Sequence, residues 1–294
     1  MKVKHLLEYI VVFAFYGIVR ILPIKISFFI IDRIADFVFF VLRIRVKVVL
    51  KNLDIAFLST KSYLEKYKIA HSVYRNFGRT VVETLLLPCY SPNKVKKIVN
   101  MNNKECIEKI LSEGKGGIIV SGHIGNWELM GVALKYFGYP INFVIGEQKN
   151  KLVDRFLNGL RKRTGVGMIP RQFSLKGVLK ALKKNELVAI LSDQDAGLGG
   201  VFVNFFGQLA STPGGAALFS LKSFAPIIFA FGIPSIDRKI HNLYFEEVKA
   251  ELTEDKDYNM KILTQEFTTK MEEVIRKYPE HYFWLHRRWK TKPL

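Results

Sequence analysis

Residues 117–128 read Gly-Ile-Ile-Val-Ser-Gly-His-Ile-Gly-Asn-Trp-Glu. Gly117 to Ser121 is a short apolar run of the kind that forms a strand buried on both faces. From about Trp127 to Phe137 the chain has helical character, and Gly138 stops it. Gly122 and Gly125 lie between, where the backbone must turn sharply and where a substrate has to come close. Asn126 suits a helix N-cap. A loop at the carboxyl end of a buried strand is where ligands gather in open α/β sheets.

The same alternation continues in both directions. Ser62-Tyr63-Leu64-Glu65 has capping-box spacing, and Leu64, Tyr67, Tyr74, Phe77, Val81 and Leu85 mark a long helix ending before Pro88. Residues 141–145, 187–191, 201–206, 226–231 and 243–248 are further strand candidates. Ser174 is placed to cap a helix with Leu175, Val178, Leu179 and Leu182 on its apolar face and lysines opposite. A last helix, from about Asp257 to Lys277, turns Met260, Leu263, Phe267, Met271 and Val274 inward. The later strands follow one another with less helix between them. The expected fold class is therefore α/β, with a mixed, partly parallel sheet flanked by helices.

The chain has 294 residues, 49% of them apolar, which excludes intrinsic disorder. Its 45 Lys and Arg against 26 Asp and Glu give a net charge of +19, which calls for an anionic partner. High hydrophobicity beside that charge favours a phospholipid surface over nucleic acid. Two cysteines, Cys89 and Cys106, exclude a disulfide scaffold or a four-cysteine zinc site and suit a reducing compartment.

An apolar stretch at 6–22 holds only Glu8 and Arg20, near its two ends. A second stretch, 26–42, carries Asp32, Arg33 and Asp36 near its middle, which argues against a second span. The expected organisation is a membrane anchor and an interfacial helix over 1–45, then one catalytic domain over 46–294. The alternative is two ordinary buried helices. Arg43, Arg45, Lys47 and Lys51 follow and suit phospholipid headgroups, which puts the domain on the cytoplasmic side.

His123 and Glu128 carry the candidate chemistry. A neutral imidazole takes a proton from an alcohol near pH 7. A carboxylate on its other nitrogen fixes the tautomer and stabilises the imidazolium, and Glu128 is the expected partner. A plain loop histidine, with Glu128 complementing the helix dipole, is the structural alternative.

The surrounding blocks resemble the late acyltransferases of lipid A synthesis, the lauroyl and myristoyl transferases. Their His-four residues-Asp/Glu signature reads HIGNWE here. The stretch from Leu152 to Arg163 is similar to the family segment that bears a functional arginine, matched by Arg161. Leu191-Ser192-Asp193-Gln194-Asp195 is similar to its acidic block, with Asp193 in the key position. VFVNFFG at 201–207, STPG at 211–214 and the tail from Tyr282 to Pro293 complete the likeness, which spans roughly 115–293.

This resemblance implies a glycerolipid-acyltransferase-like fold at the bacterial inner membrane. It implies transfer of an acyl chain from acyl carrier protein or acyl-coenzyme A to a hydroxyl of a phosphorylated glycolipid, a lipid A precursor, with no metal, no cofactor and no nucleic acid involved. His123 would be the general base and Glu128 its orienting group. Gly125, Asn126 and Arg161 would stabilise the oxyanion or bind substrate, Arg161 alternatively holding a phosphate, and Asp193 would hold Arg161 or shape the pocket. Two basic sets, Arg155/Arg161/Lys162/Arg163/Arg171 and Arg287/Arg288/Lys290, would dock donor or acceptor. Phe205, Phe206, Phe219 and Phe224 are candidates for an acyl channel, with core packing as their other role. The competing readings are a phosphatidylinositol mannoside or other lipid acyltransferase, and a non-catalytic basic protein that binds anionic lipid.

Overall fold

A computed structural model describes residues 3–293. Four helices lead the chain: α1 (Val3–Ile21), α2 (Ile24–Phe37), α3 (Val46–Phe57) and α4 (Tyr63–Leu86). Both legs of the Ser62/Glu65 capping box are present at the start of α4. Next come α5 (Pro92–Ile98), β1 (Val99–Asn102) and α6 (Glu105–Ser112). The central run is β2 (Gly117–Ser121), α7 (Trp127–Tyr136), β3 (Ile141–Ile145), α8 (Lys151–Arg163), β4 (Gly167–Pro170), α9 (Ser174–Lys183) and β5 (Leu187–Leu191). A hairpin of β6 (Val201–Phe205) and β7 (Gln208–Thr212) follows, then α10 (Gly215–Ser223), β8 (Ile227–Pro234), β9 (His241–Val248) and α11 (Lys256–Lys277).

Seven strands form one sheet in the order β1-β9-β8-β2-β5-β3-β4. Every neighbouring pair is parallel except the β8–β9 hairpin. The expected mixed α/β sheet is therefore present and mostly parallel. β2 sits centrally and is buried at every residue. Apolar clusters cover both faces. One gathers Ile118, Val120, Val188, Phe229, Phe267 and Met271, and the other Ile119, Leu129, Leu187, Ile228 and Phe245.

Several boundaries differ from the sequence expectation. β1, β4, β7 and the short helices α5 and α6 carry too few residues for a clear period. Residues 201–206 do form a strand, but it pairs only with β7, outside the main sheet. Ser174 is the first helical residue of α9 and caps nothing. Leu175, expected inward, is exposed.

The N-terminal helices depart most. Among the described residues, no helix is long and apolar enough to cross a membrane. α1 carries Lys4, Glu8 and Arg20 within its 19 residues, and the expected spanning anchor is not shown by it. It lies against α8: Asn150, the N-cap of α8, donates to the Glu8 carboxylate at 2.9 Å and to the His5 carbonyl at 2.8 Å.

α2 is tied down too, with its two carboxylates turned inward. Arg79 of α4 grips Asp32 through Nε and Nη2 at 2.8 and 2.5 Å, and Arg75 grips Asp36 at 2.7 Å with both nitrogens. Hydrogen bonding from Arg75 holds the Asp36 carboxyl well below the usual carboxylate range. The charges that argued against a second span are thus the bonds tying α2 to α4. Leu7, Ile10, Val11, Phe13, Ile26, Phe29, Phe37, Phe40 and Val41 face solvent instead.

Because Asp32 is buried, removing its partner leaves a desolvated carboxylate short of two bonds. Arg79→Ala should lower unfolding free energy by about 1–3 kcal/mol, read from the urea midpoint. Arg33→Ala, on a mostly exposed arginine, should leave that midpoint within about 0.5 kcal/mol.

Candidate active site

β2 and β5 are adjacent and parallel, with Gly117 opposite Leu187 and Ser121 opposite Leu191. The register offset is constant along the pair, and the chain keeps it past the strand ends. His123 and Asp193 therefore leave the same edge of the sheet side by side. The backbone N–H of His123 donates to Asp193 Oδ2 at 3.0 Å, and its ring Nδ1 donates to Oδ1 at 2.8 Å. Asp193 is buried, and His123 keeps about a fifth of its side chain exposed.

A carboxylate accepts only, so Nδ1 must carry the proton and Nε2 the free lone pair. Nε2 makes no hydrogen bond among the described residues. Trp127 packs edge-on against the imidazole at 4.8 Å and Phe283 at 5.9 Å.

The partner of His123 is thus Asp193, and the sequence expectation of Glu128 is corrected. Glu128 is held elsewhere: Arg161 of α8 donates to it through Nε at 3.1 Å to both oxygens and through Nη2 at 2.5 Å. Asn158 accepts from Arg161 Nη1 at 2.9 Å. Asp193 accordingly does not hold Arg161. Glu128 still acts on His123 through space, raising its pKa. An apolar hollow lined by Leu87, Val132, Phe143, Leu157 and Leu160 adjoins the Arg161–Glu128 pair.

The loop between His123 and α7 is fixed from several sides. Gly125 has φ +57°, and a Cβ there would lie 1.8 Å from the Gly232 carbonyl oxygen of β8, so only glycine fits. Its N–H donates to the His281 carbonyl at 2.8 Å, and Phe283 N–H donates to the His123 carbonyl at 3.0 Å. The Gly125 amide is therefore not free for an oxyanion. Asn126 caps α7 as expected, accepting from Leu129 N–H at 2.9 Å, while its Nδ2 donates to Glu83 Oε2 at 2.8 Å. Both ends of that side chain are engaged within the protein, and it is buried away from substrate. At Trp127 and Glu128 the first α7 amides have no carbonyl partner within the helix.

The remaining blocks support this loop. Tyr282 O–H donates to the Asp193 carbonyl at 3.3 Å. Thr291 bonds Asp195 through its N–H and hydroxyl. Arg288 is buried and donates to the Ser211 carbonyl at 2.6 Å and to Thr212 Oγ1 at 2.5 Å. It is a core cation and not a docking residue, whereas Arg287 and Lys290 are exposed. Phe205, Phe206 and Phe219 are core, and Phe224 is exposed in a left-handed turn. Sequence reasoning missed Glu83 and Arg238, whose only trace was a charge inside a long helix and another in a hairpin.

The electrostatics of the pair can be measured. Burial alone would lower the His123 pKa; Asp193, with help from Glu128, outweighs it and holds the value above 6.5. Burial would likewise raise Asp193, but the imidazole it faces keeps it ionised, below its usual range. The His123 contribution to stability is therefore full below 6.5 and fades as pH rises through the raised value. That of Asp193 fades as pH falls through its lowered value. NMR titration should give a His123 midpoint above 6.5, and Asp193→Asn should shift it downward, because only Glu128 then opposes the effect of burial.

Comparison with known proteins places the chain in a family. The family model for bacterial lipid A biosynthesis acyltransferase matches residues 1–291. The chain is 27% identical over 279 residues to the lipid A biosynthesis palmitoleoyltransferase of Escherichia coli K12, covering 93% of this chain and 88% of that one. It is 28% identical over 253 residues to the lauroyltransferase of the same organism, covering 85% and 80%. Likeness to a Mycolicibacterium smegmatis phosphatidylinositol mannoside acyltransferase is fainter, 22% over 156 residues, or 52% of this chain and 51% of that one. With a family match running almost end to end, this chain belongs to the bacterial lipid A biosynthesis acyltransferases.

Proposed function

We propose that the enzyme moves a fatty acyl chain from an acyl thioester, on acyl carrier protein or coenzyme A, to a hydroxyl of a lipid A precursor. His123 Nε2 takes the hydroxyl proton as the oxygen attacks the thioester carbonyl carbon. The C–O bond forms, negative charge collects on the carbonyl oxygen, and the C–S bond then breaks. The imidazolium returns the proton to the departing thiolate. Asp193 fixes the ring tautomer and stabilises the imidazolium. The free amides of Trp127 and Glu128 at the α7 N-terminus receive the oxyanion. Glu128 keeps Arg161 aimed at that end of the helix, where its remaining N–H groups are offered to the oxyanion or a substrate phosphate. The observation that carries this reading is the His123–Asp193 hydrogen bond with Nε2 left unpaired.

The first 45 residues form the membrane-facing part of the molecule and residues 46–294 the catalytic part. Support comes from the polarity of α2, whose carboxylates Asp32 and Asp36 bind inward to α4 while Phe29 and Phe37, with Phe40 and Val41 just beyond the helix, stand in solvent. Exposed apolar side chains with basic residues near them are what an interfacial helix requires. Arg43, Lys47 and Lys51 are exposed beside it. Such docking brings the site to lipid substrates at the cytoplasmic face of the inner membrane. Arg155, Lys162 and Lys151 line an open groove on α8 together with Glu147 and Asp154, and its cations are the part offered to an acceptor phosphate or an acidic carrier protein.

With acyl carrier protein loaded with a radiolabelled chain and a lipid A precursor, His123→Ala should lower turnover by about two to four orders of magnitude. Wild-type kcat/KM should rise with pH through a midpoint above 6.5, since the base must be neutral. Near-normal turnover of the alanine variant would remove His123 as the base. In a separate test, replacing Phe37, Phe40 and Val41 with serine should release the protein from vesicles of anionic phospholipid. Undiminished sedimentation with vesicles would refute the interfacial role.

A further inference from the structure

α4 carries a polar stripe that ends beneath the loop. Asn76 donates to the Glu280 carbonyl at 3.0 Å, Thr80 to the Gly125 carbonyl at 3.2 Å, and Glu83 accepts from Asn126 at 2.8 Å. These positions recur at helical spacing, so one face of α4 meets the tail, Gly125 and the cap in turn. Glu83 is almost fully buried. Arg238, in the turn between β8 and β9, grips it with Nε and Nη2, both at 2.7 Å. His241 lies 3.6 Å away, too far for a good hydrogen bond.

A buried ion pair is a poor means of adding stability, since desolvating both charges offsets most of their attraction. It does enforce an orientation. The Asn126 amide has two nearly isosteric settings, and only one turns Oδ1 to the Leu129 N–H. A carboxylate cannot donate, so Glu83 accepts only Nδ2 and rejects the flipped amide. Arg238 keeps Glu83 ionised and fixes the plane of its carboxylate.

We infer that Glu83 is a positioning residue: through Asn126 it sets the first turn of α7, and so aims the amides of Trp127 and Glu128 at the reacting carbonyl. This rests on the acyl-transfer reading above and assigns a role to a residue outside every motif of the chain. Because the oxyanion exists only after attack, a misdirected turn costs kcat and leaves substrate binding in place.

The test exchanges the amide and the carboxylate. Asn126→Asp keeps a capping oxygen but sets two carboxylates face to face. It should lower kcat about 10–100-fold with KM within about twofold of wild type. Adding Glu83→Gln removes the carboxylate–carboxylate repulsion but sets the new amide N–H2 against Arg238 Nη2, which shares Oε2 with Asn126 in the wild type, and should recover part of the lost kcat. Glu83→Gln alone leaves Arg238 without its ionic partner and should lower both kcat and melting temperature.

Should Asn126→Asp fail to fold, Asn126→Ser retains a cap but gives Glu83 no amide. A fall in its kcat at unchanged KM and melting temperature supports the same assignment. Wild-type kcat in a folded Asn126→Asp protein, or a double variant no better than the single one, would overturn it while leaving the acyl-transfer reading intact. Absence of transfer by the wild-type protein would overturn both.

Discussion

The bond between His123 Nδ1 and Asp193 Oδ1 joins residues 70 apart in the chain. It exists because β2 and β5 are neighbours in an unbroken parallel register. Two buried strands therefore act as rails that deliver an imidazole and a carboxylate to one edge at hydrogen-bonding distance. The spacing of the pair is set by the sheet and not by loop conformation, which suits a group that must hold one tautomer. Gly122 belongs to the same arrangement: a Cβ there would press on Asp193 Cβ at 3.2 Å and Met271 Sδ at 3.1 Å.

Around this pair the structure separates two charge systems. His123 and Asp193 form one, and Glu128 with Arg161 the other, across the N-terminus of α7. Each carboxylate has its own cation or proton donor, so neither is left as a bare charge in a partly buried site. The tail from His281 onward closes the loop by backbone bonds to Gly125 and His123. That accounts for a strongly patterned C-terminus with no catalytic group of its own. Arg288 illustrates the point, since its charge is spent on the β7 carbonyl and hydroxyl.

Much of this was legible in the sequence where the pattern is local. The strand at 117–121, the cap at Asn126, the capping box at Ser62 and the last helix are all signalled by residue patterns a few positions long. The mixed character of the sheet followed from strands without intervening helices. Short elements such as β1 and β4 were invisible because four residues carry no usable period. The role of α1 and α2 stayed open for a different reason. Hydropathy along the chain reports how apolar a segment is, and not which of its faces meets the protein.

The sequence by itself determined the chemistry on offer: a histidine on a glycine-flanked loop, carboxylates and an arginine nearby in the motifs, and an apolar, basic N-terminus. Those are properties of residue type and short spacing. Only the tertiary structure decided the pairing, giving His123 to Asp193, Glu128 to Arg161 and Asn126 to Glu83. Hydrogen bonds are short-range and directional, so partners depend on strand order and helix packing, which bring together residues that no local pattern connects.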